Sequence, residues 1–151
     1  MIAHNLNEKT PSVGRVLIVD DDEDNRFIVG NLMESRLHCD VVLVESVEDA
    51  LTRYDSESFD LIVSDYSMPR QTGLDFAKEL SKRNCAIPFL IYSAHDFSKW
   101  ELHKLGLIAG IVPKPNIGDL FSIISALMEW PLKPRFRHIE PWVRHFGGSH
   151  E

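Results

Sequence analysis

The sequence predicts an α/β domain built from five βα repeats, (βα)5, folded as a doubly wound, five-stranded parallel sheet with a short C-terminal extension. Three observations carry that prediction. Short apolar runs rich in Val and Ile recur between residues 14 and 129, the pattern of strands buried on both faces. Stretches with apolar side chains at helical spacing separate those runs, and strand alternating with helix makes a parallel sheet covered on both sides. The length suits one domain: 151 residues, 44% hydrophobic and 26% charged, enough to bury about 70% of the unfolded chain's surface without disulfides or a structural metal.

The strands are expected at Val16–Val19, Val41–Val44, Leu61–Val63, Phe89–Ile91 and Leu107–Val112, the last interrupted by Gly110. After Asp22, the residues Phe27, Ile28, Leu32, Met33 and Leu37 mark the first helix. Val47, Ala50, Leu51 and Tyr54 mark the second, and Leu74, Ala77 and Leu80 the third. The clearest stripe is the last, Ile117, Leu120, Phe121, Ile124, Leu127 and Met128, which keeps amphipathic spacing at nearly every step. Phe97, Trp100, Leu102 and Leu105 outline a weaker helix before the fifth strand. Ser46 with Asp49 and Thr72 with Asp75 have the spacing of N-terminal caps, and Asn116 precedes the last stripe.

The charge balance is acidic, 16 Lys+Arg against 23 Asp+Glu for a net −7, which argues against a whole-surface nucleic-acid binder. The last 22 residues differ, with Lys133, Arg135, Arg137 and Arg144 against Glu140 and Glu151. Cys39 and Cys85 lie far apart with no metal-ligand spacing around them and read as structural thiols in a reducing compartment. No run approaches the roughly 18 apolar residues of a membrane span, and the first residues lack a secretory signal's basic and apolar regions. A cytoplasmic location is expected, with no membrane contact.

In doubly wound sheets ligands bind at the carboxyl ends of the strands, where strand order reverses. Strand one ends in Asp20, Asp21 and Asp22, strand two in Glu45, strand three in Ser64 and Asp65, strand four in Ser93, and strand five in Pro113, Lys114 and Pro115. Carboxylates gathered in one pocket repel unless a cation sits among them. Oxygen donors without nearby His or Cys point to Mg2+. A divalent cation, an Asp, a hydroxyl and a lysine are the parts of phosphoryl transfer, with the Asp as nucleophile. The prolines on either side of Lys114 hold it in a rigid, non-helical segment.

The strings RVLIVDDDEDNR, DLIVSDYSMPRQTGLDF, IPFLIYSAHD and GIVPKP resemble a response-regulator receiver domain of two-component signalling, over roughly residues 14–129, and so a flavodoxin-like, CheY-like fold. The resemblance implies that Asp65 is the phosphoacceptor, taking the group from the phosphohistidine of a histidine kinase or phosphotransfer protein. It implies Mg2+ held by Asp20, Asp21, Asp65 and the backbone carbonyl of Ser67, with Asp21 the direct ligand and Asp20 acting partly through water. Ser93 matches the switch hydroxyl and Lys114 the lysine that pairs with the phosphoryl group; the Lys114–Pro115 peptide is expected to be cis. Asp22, the extra carboxylate, is expected to act as a helix N-terminal charge.

Ile111 stands where many receivers place a Tyr or Phe whose rotamer swings with the hydroxyl. Tyr92, Phe97 and Trp100 are candidate substitutes, with packing as the default role of each. His95, two residues beyond Ser93, lies where attacking water would approach, although a surface histidine is the plainer reading. The resemblance implies a signalling domain that catalyses only its own phosphorylation and dephosphorylation. Two alternatives stand beside it: a phosphorylation-independent, receiver-shaped adaptor, and a haloacid-dehalogenase-like phosphatase using Asp20 and Asp22 as its D-x-D pair.

Residues 1–13 read as a flexible lead and 130–151 as a tail too short for a helix-turn-helix domain, so a stand-alone receiver signalling through a downstream protein, without direct DNA binding, is expected. In the tail, Ile139, Trp142, Val143 and Phe146 have i, i+3, i+4, i+7 spacing, which suits a short helix docking on the body, across a homodimer or on a partner. His138, His145 and His150 are too scattered for a specific metal site.

Overall fold

A computed structural model describes residues 14–95 and 108–129. The elements in chain order are β1 (Arg15–Val19), α1 (Glu23–Leu37), β2 (Asp40–Val44), α2 (Val47–Ser56), β3 (Leu61–Ser64), α3 (Gly73–Lys82), β4 (Phe89–Ser93), β5 (Ile108–Pro113) and α4 (Ile117–Glu129). The strands form one parallel sheet in the order β2-β1-β3-β4-β5. The chain therefore leaves β1 toward one edge and returns to its other side with β3. That reversal is the switch point at which ligands bind in such sheets.

Strand alternation divides the core. Val16 and Ile18 of β1 face a layer completed by Val29, Met33, Leu120 and Ile124 of α1 and α4. Leu17 and Val19 face the opposite layer, completed by Val47, Ala50, Phe76 and Leu80 of α2 and α3, so the period-two side-chain pattern feeds both faces. The caps form as their spacing suggests. Asp22 accepts from the backbone N–H groups of Asp24 and Asn25, Ser46 from that of Asp49, and Thr72 and Asp75 make a reciprocal capping box. Each such cap stabilises its helix start by about 1 kcal/mol.

Three expectations are corrected. Phe27 and Ile28 are 62% and 52% exposed, whereas Val29 and Gly30 are buried with Met33 and Leu37. The face of α1 that is buried is the one on which Val29, Met33 and Leu37 join the core with Val16, Ile18, Leu120 and Ile124, and Gly30 beside it lets the β2 side chain Leu43 approach, a Cβ there standing 3.1 Å from the Leu43 Cδ2. β2 is an edge strand with Asp40 and Leu43 exposed, and is not buried on both faces. On α4 the buried set also includes Ile123, which the sequence stripe omits. Leu107, the weak helix at Phe97–Leu105, the lead 1–13 and the tail 130–151 lie outside the described residues.

Cys39 is buried under α1, and burial, with Asp40 and Asp60 nearby, pushes its thiol up to about 11. At pH 8 only about one part in a thousand would be thiolate, the reactive form. Native protein treated with a thiol-specific chromophore is therefore expected to label at the half-buried Cys85 and not at Cys39 until denaturant is added. Rapid labelling of Cys39 in the folded chain would contradict this packing.

Candidate functional site

Among the described residues, the buried polar side chains are Asp20, Ser64, Asp65 and Ser93. All four lie at the carboxyl edge of the sheet, on β1, β3 and β4 or one residue beyond. Asp20 and Asp65 extend their strands by one hydrogen bond each: Asp20 N–H donates to the Val44 carbonyl at 3.1 Å and Asp65 N–H to the Val19 carbonyl at 2.9 Å. Strand pairing thus sets both carboxylates side by side at the switch point. Burying carboxylates is costly unless they are paired and hydrogen-bonded, and here each is.

The Asp20 Oδ1 accepts the Asp22 N–H at 2.9 Å, and its Oδ2 accepts from the Asn25 side-chain amide. The Arg26 guanidinium donates to the Asp20 carbonyl at 2.7 Å. The Asp65 Oδ1 accepts the Tyr66 N–H at 2.7 Å. Lys114 Nζ lies 2.8 Å from the Asp20 Oδ2 and 3.4 Å from the Asp65 Oδ2, linking both carboxylates. Its backbone is pinned by donation from Lys114 N–H to the Ser93 carbonyl at 3.0 Å, and the Lys114–Pro115 peptide is cis. Burial alone would pull the Lys114 ammonium down, but the hydrogen bond and charge of Asp20, with Asp65 behind it, outweigh burial and hold its pKa above the ordinary lysine value.

Oxygens of Asp20, Asp21 and Asp65 all lie within 4.8 Å of one another, with Asp21 exposed at the mouth. One ammonium among three carboxylates leaves negative charge unbalanced, and an all-oxygen donor set at this spacing fits a hard divalent cation. Asp22 takes no part in the cluster; its carboxylate caps α1. The D-x-D pair of the phosphatase alternative is therefore split between a buried carboxylate of the cluster and a helix cap.

Ser93 is buried and its Oγ accepts the His95 N–H at 3.1 Å. The exposed His95 ring stacks on Tyr66 at 4.4 Å between centroids, and its Nδ1 lies 3.3 Å from the Ser67 Oγ. Histidine and serine thus bridge β3 and β4 at the pocket rim, and the Ser67 side chain is turned to that bridge. Ile111 is buried in the sheet core, and Tyr92 is buried with its ring 5.8 Å from the Lys114 Nζ. Phe97 and Trp100 lie outside the described residues.

Sequence reading missed three contributors. Asn25 and Arg26 stand in the DDDEDNR string without a signal that their side chains turn back onto Asp20. Gly73, the first residue of α3, donates its N–H to the Tyr66 carbonyl at 2.7 Å, and a Cβ there would meet the Asp65 carbonyl oxygen at 2.7 Å. The helix can approach the Asp65 segment this closely only because a side chain is absent.

The strand order and the acidic, lysine-bridged pocket at its reversal define a doubly wound α/β domain whose buried polar groups gather at the strand ends. The chain belongs to the response regulator receiver domain family, whose model matches residues 16–125. It is 40% identical over 82 residues to the two-component response regulator ORR13 of Oryza sativa subsp. japonica, covering 52% of this chain and 67% of that protein. It is 32% identical over 90 residues to the two-component response regulator ARR14 of Arabidopsis thaliana, covering 58% and 23%. A 32% match over 82 residues to the alkaline phosphatase synthesis transcriptional regulatory protein PhoP of Bacillus subtilis covers 54% and 34%. The chain thus spans only a quarter to a third of the last two relatives. Among solved structures, the receiver domain of the Francisella response regulator 1452 superposes with a TM-score of 0.70 at 26% identity, covering 80% of this chain and 99% of that one. The chemotaxis response regulator CheY4 of Vibrio cholerae gives 0.67 at 25% identity, covering 75% and 97%. No helix among the described residues is long and apolar enough to cross a membrane.

Proposed function

We propose that this receiver accepts a phosphoryl group on Asp65 from the phosphohistidine of a kinase or phosphotransfer protein and passes the signal on by binding another protein. The observation that carries this reading is the buried Asp65 carboxylate held beside Lys114 and within a 4.8 Å cluster of carboxylate oxygens. In the transfer, an Asp65 carboxylate oxygen attacks phosphorus, the P–N bond of the donor breaks, and the departing imidazole keeps the electron pair and takes a proton. Lys114, its ammonium held 3.4 Å from the Asp65 Oδ2, balances charge on the phosphoryl oxygens. The Ser93 hydroxyl, whose oxygen accepts the His95 N–H, keeps its own proton to donate to the same oxygens. Asp20, Asp21, Asp65 and the Ser67 carbonyl would hold Mg2+, whose charge shields the carboxylates from the incoming anion.

Incubation with acetyl phosphate and Mg2+ is expected to add one phosphoryl group to the peptide containing Asp65, detected by mass spectrometry. Asp65→Asn is expected to abolish the adduct. An adduct on Asp20 instead would overturn the assignment in favour of a phosphatase-type nucleophile.

The buried Ile111 favours one further point: the output of this receiver does not run through a swinging aromatic on β5. If binding of a partner is unchanged by beryllofluoride, a phosphoryl mimic, the adaptor reading replaces the switch.

A further inference from the structure

Asp20 is the more enclosed of the two buried carboxylates at the strand ends, and its oxygens are served unequally. Oδ1 accepts the Asp22 N–H, whereas Oδ2 accepts twice, from the Lys114 ammonium at 2.8 Å and from the Asn25 side-chain amide. The two donors on Oδ2 differ in kind. Lys114 is a cation with a second carboxylate, Asp65, in reach at 3.4 Å; Asn25 is neutral and half-buried on α1. It is the third residue of that helix, with its backbone N–H capped by Asp22, and a helical side chain leans back toward the helix start. That direction brings its amide onto Asp20. The neighbouring Arg26 guanidinium holds the Asp20 backbone carbonyl at 2.7 Å, so the start of α1 fixes Asp20 through contacts that do not involve Lys114.

This independence matters when charge moves. The Asp65 Oδ1 accepts the Tyr66 N–H, and Oδ2 is the oxygen on the Lys114 side. A phosphoryl group on Asp65 sets new anionic oxygens beyond the carboxylate and draws the ammonium toward them, away from its shorter contact with the Asp20 Oδ2. A buried carboxylate stripped of its partner carries a large penalty, so an otherwise unserved Asp20 would hold the lysine back. An amide already seated on the same oxygen lowers that penalty, because Asn donates without charge and stays with its helix.

We propose that Asn25 is a positioning residue that keeps Asp20 satisfied while Lys114 shifts to the phosphoryl group, so that one lysine serves the resting pocket and the phosphorylated one in turn. This deepens the phosphoacceptor reading of Asp65 and rests on it. Asn25→Leu has a similar shape and no donor. It is expected to slow formation of the Asp65 adduct from acetyl phosphate and Mg2+ about tenfold, the effect of one missing hydrogen bond to a buried charge. Two further results, which a side chain that only packs would not produce, are read in a Lys114→Met background that keeps the stem and loses the charge. There Asn25→Leu is expected to leave the adduct rate within about twofold, since no ammonium remains to be released. Its effect on the urea midpoint without Mg2+ is expected to grow instead, to about twice that in the parent chain, since the Asp20 Oδ2 then loses both donors. The difference in helix propensity between Asn and Leu is common to both backgrounds and cancels. Equal slowing in both backgrounds, no slowing in the parent chain, or midpoint shifts that simply add overturns the role. A parent chain that forms no adduct on Asp65 overturns the phosphoacceptor reading and the role with it, a failure told apart from the others because it precedes any substitution.

Discussion

Lys114→Ala is expected to slow phosphoryl uptake at Asp65 by roughly a hundred- to a thousandfold, the usual loss when one preorganised charge is removed from a site of developing negative charge. The geometry makes the loss specific. A single ammonium stands 2.8 Å from Asp20 and 3.4 Å from Asp65, so its removal leaves two buried carboxylates facing each other without a cation. The folded state should also weaken, by about 2 kcal/mol, below the usual figure for breaking a buried pair because the lysine retains some access to water. Both losses answer to Mg2+. A cation held by the carboxylates supplies the missing charge, so Mg2+ is expected to raise the melting temperature of Lys114→Ala more than that of the parent chain. Parallel melts with and without Mg2+, and initial rates of uptake from acetyl phosphate, check the two halves. Equal Mg2+ stabilisation of both proteins would mean that the ion does not share the pocket with the lysine.

How much of this site was legible follows from how each residue is placed. Asp20, Asp65, Ser93 and Lys114 each end an apolar run, and parallel strands in a doubly wound sheet deliver such ends to one edge. One-dimensional spacing is enough to find them. Asn25 and Arg26 act on Asp20 from α1, and that contact depends on the angle at which the helix leaves the strand, which spacing does not encode. The same helix explains the misassigned face. Its apolar residues spread around the axis, and the buried side is the one whose Val29, Met33 and Leu37 meet β1 and α4 in the core, a tertiary contact that spacing along one helix does not encode. The β2 run resembled an inner strand because edge and centre share Val-rich composition; only the pairing order separates them. The bridge between Ser67 and His95 joins residues 28 apart, a distance at which no local pattern survives.

Gly73→Ala is expected to destabilise the domain by about 2–3 kcal/mol, as overpacking of a closely fitted contact does. The added Cβ would stand 2.7 Å from the Asp65 carbonyl oxygen and 3.0 Å from the Tyr66 Cα. These are backbone atoms that no rotamer change can move aside. Either α3 backs away from the sheet, straining the Gly73 N–H bond to Tyr66, or the Asp65–Tyr66 segment shifts and takes the carboxylate out of line with Lys114. Uptake at Asp65 is therefore expected to fall together with stability, since a displacement of about 1 Å is worth roughly a hundredfold in a preorganised site. Gly118→Ala is the matched control. That glycine lies in the first turn of α4 with no heavy atom within 4 Å of its would-be Cβ, and the same substitution there should stabilise by about 0.5 kcal/mol through helix propensity. Urea unfolding midpoints read both changes, and the expected result is opposite signs. A Gly73→Ala protein as stable as its parent and equally fast in phosphoryl uptake would show that α3 can retreat freely from the Asp65 segment, removing the close packing that holds the carboxylate in place.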